Sequence, residues 1–158
     1  MLSYQHAYHA GNFADVLKHM VSVEILRYLT QKPTPLFYLD THSGAGAFKL
    51  DRAESQKNKE YENGIGRLWS HQDLPHPIPS LVENYLEAVH AFNDGDRLES
   101  YPGSPWLAQH ILRAQDRLSL FELHPREYET LCRNFKQDKR VHISQTNGFQ
   151  ACSSQLPP

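Results

Sequence analysis

Four apolar residues, Leu36, Phe37, Tyr38 and Leu39, run straight into Asp40-Thr41-His42-Ser43-Gly44-Ala45-Gly46, and this junction constrains the fold more than any other segment. A short apolar run bounded by turn residues is the pattern of a strand buried on both faces, as in parallel sheets. The small residues behind it let the backbone turn tightly and come close to a ligand. Leu118 to Phe121 and Val141 to Ile143 repeat the apolar run, the first closed by Glu122 and the second leading to Asn147 and Gly148. Between them Pro125 starts a helix through Tyr128, Leu131 and Phe135. Strand, Gly-rich turn, helical segment, strand, helix, strand is the order of a doubly wound α/β sheet, which binds ligands at the carboxyl ends of its strands.

The rest of the chain is read around that sheet. Asn12 offers an N-cap with Asp15 three residues on, and Phe13, Val16, Leu17, Met20, Ile25 and Leu29 recur near helical spacing. A helix from about Asn12 to Thr30 follows, ended by Pro33 and Pro35. The arm before it, Ser3 to Gly11, is rich in Tyr and His, lacks periodicity and reads as a surface loop. Leu50 to Gly64 is polar and predicts a mobile loop. Ile65 to Trp69 and Leu81 to Phe92 predict amphipathic helices, and Ser104 is expected to cap a helix through Leu107, Ile111 and Leu112. No strand alternation shows in this middle section. The expected organisation is one domain: arm 1–11, first helix, strand and turn 12–46, helical insertion 47–113, and two further strand units 114–158.

Composition excludes several classes. At 158 residues, 39% hydrophobic and 22% charged, the chain suits one soluble domain, and no apolar run nears the roughly 20 residues of a membrane helix. The N-terminal stretch lacks the basic-then-apolar order of a secretory signal, and two cysteines without CxxC spacing suit a reducing cytoplasm. Ten histidines occur without HExxH spacing, so no metal site is expected. A net charge of -2 lacks the basic excess of a dedicated nucleic-acid clamp. The clusters Lys49, Arg52, Lys57, Lys59 and Arg133, Lys136, Lys139, Arg140 read as solvated faces.

The strand-end residues suit a nucleoside cofactor: Glu122 can accept both ribose hydroxyl protons, and Asn147 with a backbone amide can read an adenine edge. Glycines after a strand also serve simple turns, and strand-end carboxylates are often merely solvated. A nicotinamide dinucleotide would call for GxGxxG, and Gly44 and Gly46 have no third glycine in place.

Five motifs in order, MLSYQHAYHAGNFADVLKH, FYLDTHSGAGAF, YPGSP, FELHP and NGFQ, closely resemble the RlmJ family of bacterial methyltransferases, along nearly the whole chain. The resemblance implies a Rossmann-like S-adenosylmethionine methyltransferase sheet with a helical insertion after the first strand. It also implies methylation of an adenine exocyclic amine in large-subunit ribosomal RNA by a cytoplasmic monomer without metal or membrane. Carried over, the cofactor would meet His19, His42, Gly44, Gly46, Ser104, Glu122, Asn147 and Gly148, and the substrate Tyr4, His6 and Lys18. The family commonly has Asp where Asn147 stands. Such enzymes place an Asp-Pro-Pro-Tyr turn after the fourth strand; here Ser153-Ser-Gln-Leu-Pro-Pro158 stands where that strand is expected to begin, with no Asp before its prolines. The expectation is therefore a fragment without its catalytic residue, inactive by itself. Relatives have also been linked to catabolism of external DNA, which makes a non-catalytic nucleic-acid binding protein the alternative.

Overall fold

The computed structural model describes residues 5–70 and 74–156. Its elements are a 3-10 turn (His6–Tyr8), α1 (Phe13–Thr30), β1 (Phe37–Asp40), β2 (Ala47–Lys49), α2 (Ala53–Asn58), a second 3-10 turn (Glu60–Asn63), α3 (Ile65–Trp69), α4 (Ser80–Phe92), β3 (Ser100–Pro102), α5 (Ser104–Ile111), β4 (Arg117–Phe121), α6 (Pro125–Phe135), β5 (Val141–Ser144) and α7 (Gly148–Gln155). They divide into two compact units. The first comprises Leu26–Ala47 and the run from Gly103 onward, and the second the run up to Ile25 with Phe48–Pro102. The first thus includes α5, which lies inside the range 47–113 expected for the insertion.

The first unit is built on a parallel sheet of order β1-β4-β5, with Phe37 opposite Arg117 and Leu118 opposite Val141. The central strand β4 buries Leu118, Leu120 and Phe121 almost completely. Around it Leu26, Ala108, Leu112, Leu131 and Phe135 close the core, with Leu36, Tyr38, Val141 and Ile143 packed at its margin. Each such Leu or Phe contributes roughly 1.5–3 kcal/mol by leaving water. β1, read as a buried strand, is instead only half-buried, with Phe37 exposed, because among the described residues it has a sheet neighbour on one side alone. Residues Ser153 to Gln155, expected to start a strand, lie in α7. Nor is Ser104 a cap: Gly103 holds the N-cap position of α5, and Ser104 is its first residue.

Two ion-pair knots tie the amino ends of the strands. Asp116, fully buried, accepts Leu36 N at 2.8 Å, and Arg113 through N at 2.7 Å and Nε at 3.0 Å. The Arg113 guanidinium also donates to the Thr30 and Thr34 carbonyls, both at 2.9 Å, and so fixes the path from α1 into β1. Arg140 pairs with Asp138 at 2.6 Å and donates to the Gln109 and Leu112 carbonyls. It is therefore a structural tie rather than part of a solvated basic face, since a guanidinium fork satisfies several carbonyls at once.

The second unit departs further from expectation. α1 begins at Phe13 behind Asn12, whose Oδ1 accepts Asp15 N at 3.0 Å. Its buried residues are Asp15, Val16, His19, Val23 and Leu26, while the apolar Phe13, Leu17 and Ile25 are exposed. Of the expected apolar positions Val16 is buried, but Phe13, Leu17 and Ile25 are not, because two inner positions are polar. Strands β2 and β3 form a two-stranded sheet where none was expected. The polar run 50–64 is ordered as α2 and a 3-10 turn, with Gln56 Nε2 donating to Leu50 O at 2.7 Å. Ile65, Tyr85, Val89 and Tyr101 are wholly buried. The arm from Gln5 on holds a 3-10 turn, secured where Ser55 Oγ donates to Ala7 O at 3.0 Å and His9 Nδ1 meets Glu60 at 3.0 Å.

Gly46 ends the turn after β1 with φ +77, and a Cβ built there would lie 2.5 Å from Phe135 Cε2. Both the backbone conformation and the packing of α6 require glycine. Gly46→Ala should cost about 1–3 kcal/mol through strain and overpacking, read as a lowered midpoint in urea unfolding. An unchanged midpoint would show that Phe135 gives way freely.

Candidate functional site

The carboxyl ends of β1, β4 and β5, all in the first unit, gather the polar groups expected there. Asp40 closes β1. Its Oδ2 accepts Ser104 Oγ at 2.6 Å and Tyr38 OH at 3.1 Å, and its Oδ1 accepts His42 N at 3.1 Å. Burial first, and then the adjacent Asp40 carboxylate, push the Tyr38 phenol well above its ordinary value. The phenol therefore stays a neutral donor to Asp40.

Glu122, half-buried behind β4, braces two loops at once. Its Oε2 accepts Gly44 N at 2.8 Å and its Oε1 accepts His124 N at 2.7 Å. A carboxylate has about four lone-pair sites, so two remain for further donors. Ser43 locks the turn against the same strand, its Oγ accepting Phe121 N at 3.1 Å while its own N donates to Phe121 O at 2.9 Å. Behind β5, Asn147 caps α7 through Oδ1, which accepts Phe149 N at 3.0 Å. The next residue must be small: a Cβ on Gly148 would collide with the Thr41 backbone, so α7 starts against the turn.

His42 is exposed, with Nδ1 2.8 Å from Thr41 Oγ1 and its ring edge-on to Phe149 at 4.9 Å between centroids. The structure thus brings His42, Gly44, Gly46, Ser104, Glu122, Asn147 and Gly148 into the first unit. Three further residues there were not singled out as site residues by the sequence reading. Asp40 was not distinguished from its turn, Phe149 projects 69% exposed directly after the Asn-Gly pair, and His124 Nδ1 is buried with no hydrogen-bond partner among the described residues. The only sequence signals were positional: Asp40 ends the strand, and His124 and Phe149 follow within two residues of Glu122 and Asn147.

The remaining candidates belong to the second unit. His19 is wholly buried, its Nδ1 2.8 Å from Tyr101 OH, which in turn lies 3.0 Å from Tyr85 OH. Its Nε2 is buried with no hydrogen-bond partner among the described residues. His6 and Lys18 both meet Asp15, each at 2.7 Å. Tyr4 lies outside the described residues. Among those described, no group of three or more His, Cys, Asp or Glu is placed to hold a metal ion, and no helix is long and apolar enough to cross a membrane.

A parallel α/β sheet with small, acidic and amide residues gathered at its carboxyl strand ends is the class of this first unit. The chain belongs to the family described as Ribosomal RNA large subunit methyltransferase D, RlmJ, whose model matches residues 33–158. It is 49% identical over 159 residues to "Ribosomal RNA large subunit methyltransferase J" of Haemophilus influenzae and 45% identical over 158 residues to the protein of the same name from Escherichia coli K12. Each alignment covers 100% of this chain and 55% of the relative, so the chain spans about half the length of the curated relatives it matches. The crystal structure of protein LPL1258 from Legionella pneumophila superposes with a TM-score of 0.84 at 44% identity, covering 95% of this chain and 54% of that one.

Proposed function

We propose that this chain supplies the S-adenosylmethionine-binding part of a Rossmann-like enzyme that methylates an adenine exocyclic amine in large-subunit ribosomal RNA. The observation that carries the reading is the carboxylate of Glu122 at the end of the central parallel strand, braced on the Gly-rich turn and retaining lone pairs, in a chain of this family. The donor set fits the cofactor: two acceptor sites on Glu122 suit a ribose diol, and the partnerless Nδ1 of His124 sits two residues away. Bound there, the cofactor supplies a methyl group on a sulfonium.

The chain's own residues bind and orient. Glu122 holds ribose hydroxyls, and the turn from His42 to Gly46 lets main chain approach the cofactor. Ser104, fixed by Asp40, offers its hydroxyl oxygen. Asn147 and Gly148 face the base, with Asn147 contributing an uncharged amide where the family commonly has a carboxylate. Buried and neutral, His19 presents the partnerless Nε2 as its one polar atom for a ligand. Tyr4, His6 and Lys18 serve the RNA: an aromatic ring can stack on an extruded base and an ammonium can meet phosphate. No residue here is assigned the chemistry of activating the amine.

Isothermal titration of S-adenosylmethionine into the chain tests the reading. Binding is expected, and Glu122→Ala should weaken it at least tenfold, as losing charge-assisted hydrogen bonds of about 1.5–3 kcal/mol requires. Equal affinity in variant and parent would remove Glu122 from the site, and a folded parent that takes up no cofactor would overturn the proposal.

A further inference from the structure

We infer that Asp15 is a positioning residue for nucleic acid: one buried carboxylate sets His6 and Lys18 beside each other as a preformed pair for the phosphates of an RNA backbone. This rests on the RNA reading above and deepens it. Asp15 sits in the first turn of α1 and is only 3% exposed. Its Oδ2 takes His6 Nε2 at 2.7 Å and Gly11 N at 3.1 Å, and its Oδ1 takes Lys18 Nζ at 2.7 Å. A carboxylate for which burial alone would raise the proton affinity is held far below the usual range by His6 and Lys18. It therefore stays charged and keeps hold of both.

The geometry has a further consequence. Lys18 is 53% exposed, so its ammonium can spend one of its three donors on Asp15 and turn the others outward. A free lysine loses rotamer entropy when it is fixed on a ligand, and one already held by Asp15 has lost part of it before RNA arrives. His6 is held in the same way, by Asp15 and by an edge-on contact with Phe48 at 5.1 Å. The groups facing Asp15 are His6 from the 3-10 turn, Lys18 and His19 from α1, and Tyr85 and Tyr101 from α4 and β3. None of these described groups is a second carboxylate.

The sign of one measurement separates positioning from simple electrostatics. Removing a negative charge next to a phosphate site should by itself strengthen RNA binding. Positioning demands the opposite. For a short RNA hairpin with an adenine in its loop, Asp15→Asn should lower affinity about five- to tenfold at fixed salt. The same change in a background carrying both His6→Ala and Lys18→Met should lower it little further, because the residue acts through that pair. An equal loss in both backgrounds, or tighter binding by Asp15→Asn, would overturn the inference. If Asp15→Asn does not fold, the unmodified chain still decides: in a hairpin titration followed by NMR, the His6 ring and Lys18 side-chain signals should shift together along one binding curve, and movement of one without the other would refute the pair. A folded parent that ignores the hairpin entirely would remove the RNA reading itself, an outcome distinct from binding without coupling.

Discussion

Replacing Asp116 by alanine should destabilise the chain by about 3 kcal/mol or more, a large part of the roughly 5–15 kcal/mol that holds a small domain together. Asp116 has no exposed surface, and both of its oxygens are in use, on Leu36 N and on three Arg113 nitrogens. Hydrogen bonds from the Arg113 guanidinium, joined by those from Leu36 N and Arg113 N, hold the Asp116 carboxyl at about 2, below the usual range, against the upward push of burial. Truncation leaves a guanidinium without its anion and a main-chain donor at the mouth of β1 without an acceptor. The cost falls mainly on the main-chain donors Leu36 N and Arg113 N, which lose their acceptor, since the Arg113 side chain is 28% exposed and can turn to water. Asp138→Ala is the internal comparison: its pair with Arg140 is 15% and 20% exposed, water can replace the lost partner, and the loss should be smaller. Urea unfolding of both variants at neutral pH checks the order. A change of less than about 1 kcal/mol for Asp116→Ala would show that Arg113 finds other acceptors among the Thr30, Lys32 and Thr34 carbonyls it already touches.

The strands of the first unit were legible because largely apolar runs of three or four residues with a turn signal beside them have few other interpretations. Arg117–Phe121 and Val141–Ser144 fall within one residue of their expected bounds, and α4 and α6 begin beside the expected Leu81 and at the expected Pro125. β2 and β3 were not legible, since three-residue strands such as Ala47–Lys49 carry too little alternation to rise above a loop. The order in the polar run 50–64 was hidden for a different reason: its stability comes from side chain to main chain bonds, such as Gln56 to Leu50 O and Ser55 to Ala7 O, which leave no trace in hydropathy.

The strand-end cluster was partly legible in the same sense. Position after an apolar run is enough to single out Glu122 and the Asn147-Gly148 pair. What no pattern shows is who holds whom: Glu122 on Gly44, Asp40 on Ser104, Asp15 on both His6 and Lys18. The inner face of α1 is the sharpest case. A search for apolar spacing selects Phe13 and Leu17, yet the chain buries Asp15 and His19. Burying polar groups costs free energy unless they are satisfied, and α1 does so beside the apolar Val16, Val23 and Leu26.

That cost should be measurable at His19. Burial pushes its imidazole down to about 3, against the opposing pull of Asp15, with the charges of Lys18 and His6 adding to the depression. In the unfolded chain a histidine titrates near 6.5. The folded form thus refuses a proton that the unfolded form accepts, so the stability tied to a neutral His19 is complete above about pH 6.5 and declines as pH falls toward 3. One proton's difference amounts to about 1.4 kcal/mol per pH unit, and the parent should be about 2 kcal/mol less stable at pH 5 than at pH 7 from this group. Asp15 acts in a lower window. Its carboxyl is depressed, so the stability it brings is present above its unfolded value near 3.8 and is lost only below that. Between pH 4.5 and 6.5 the two effects therefore separate. His19→Asn keeps a polar atom near the Tyr101 hydroxyl and cannot be protonated; it should be less stable than the parent at pH 7 because of the space left by the ring, yet should lose about 2 kcal/mol less on acidification to pH 5. Urea unfolding across that range measures both slopes. Parallel pH profiles for variant and parent would mean that water or a proton reaches the ring in the folded state, and with it that the partnerless Nε2 is not waiting in a dry site for a ligand.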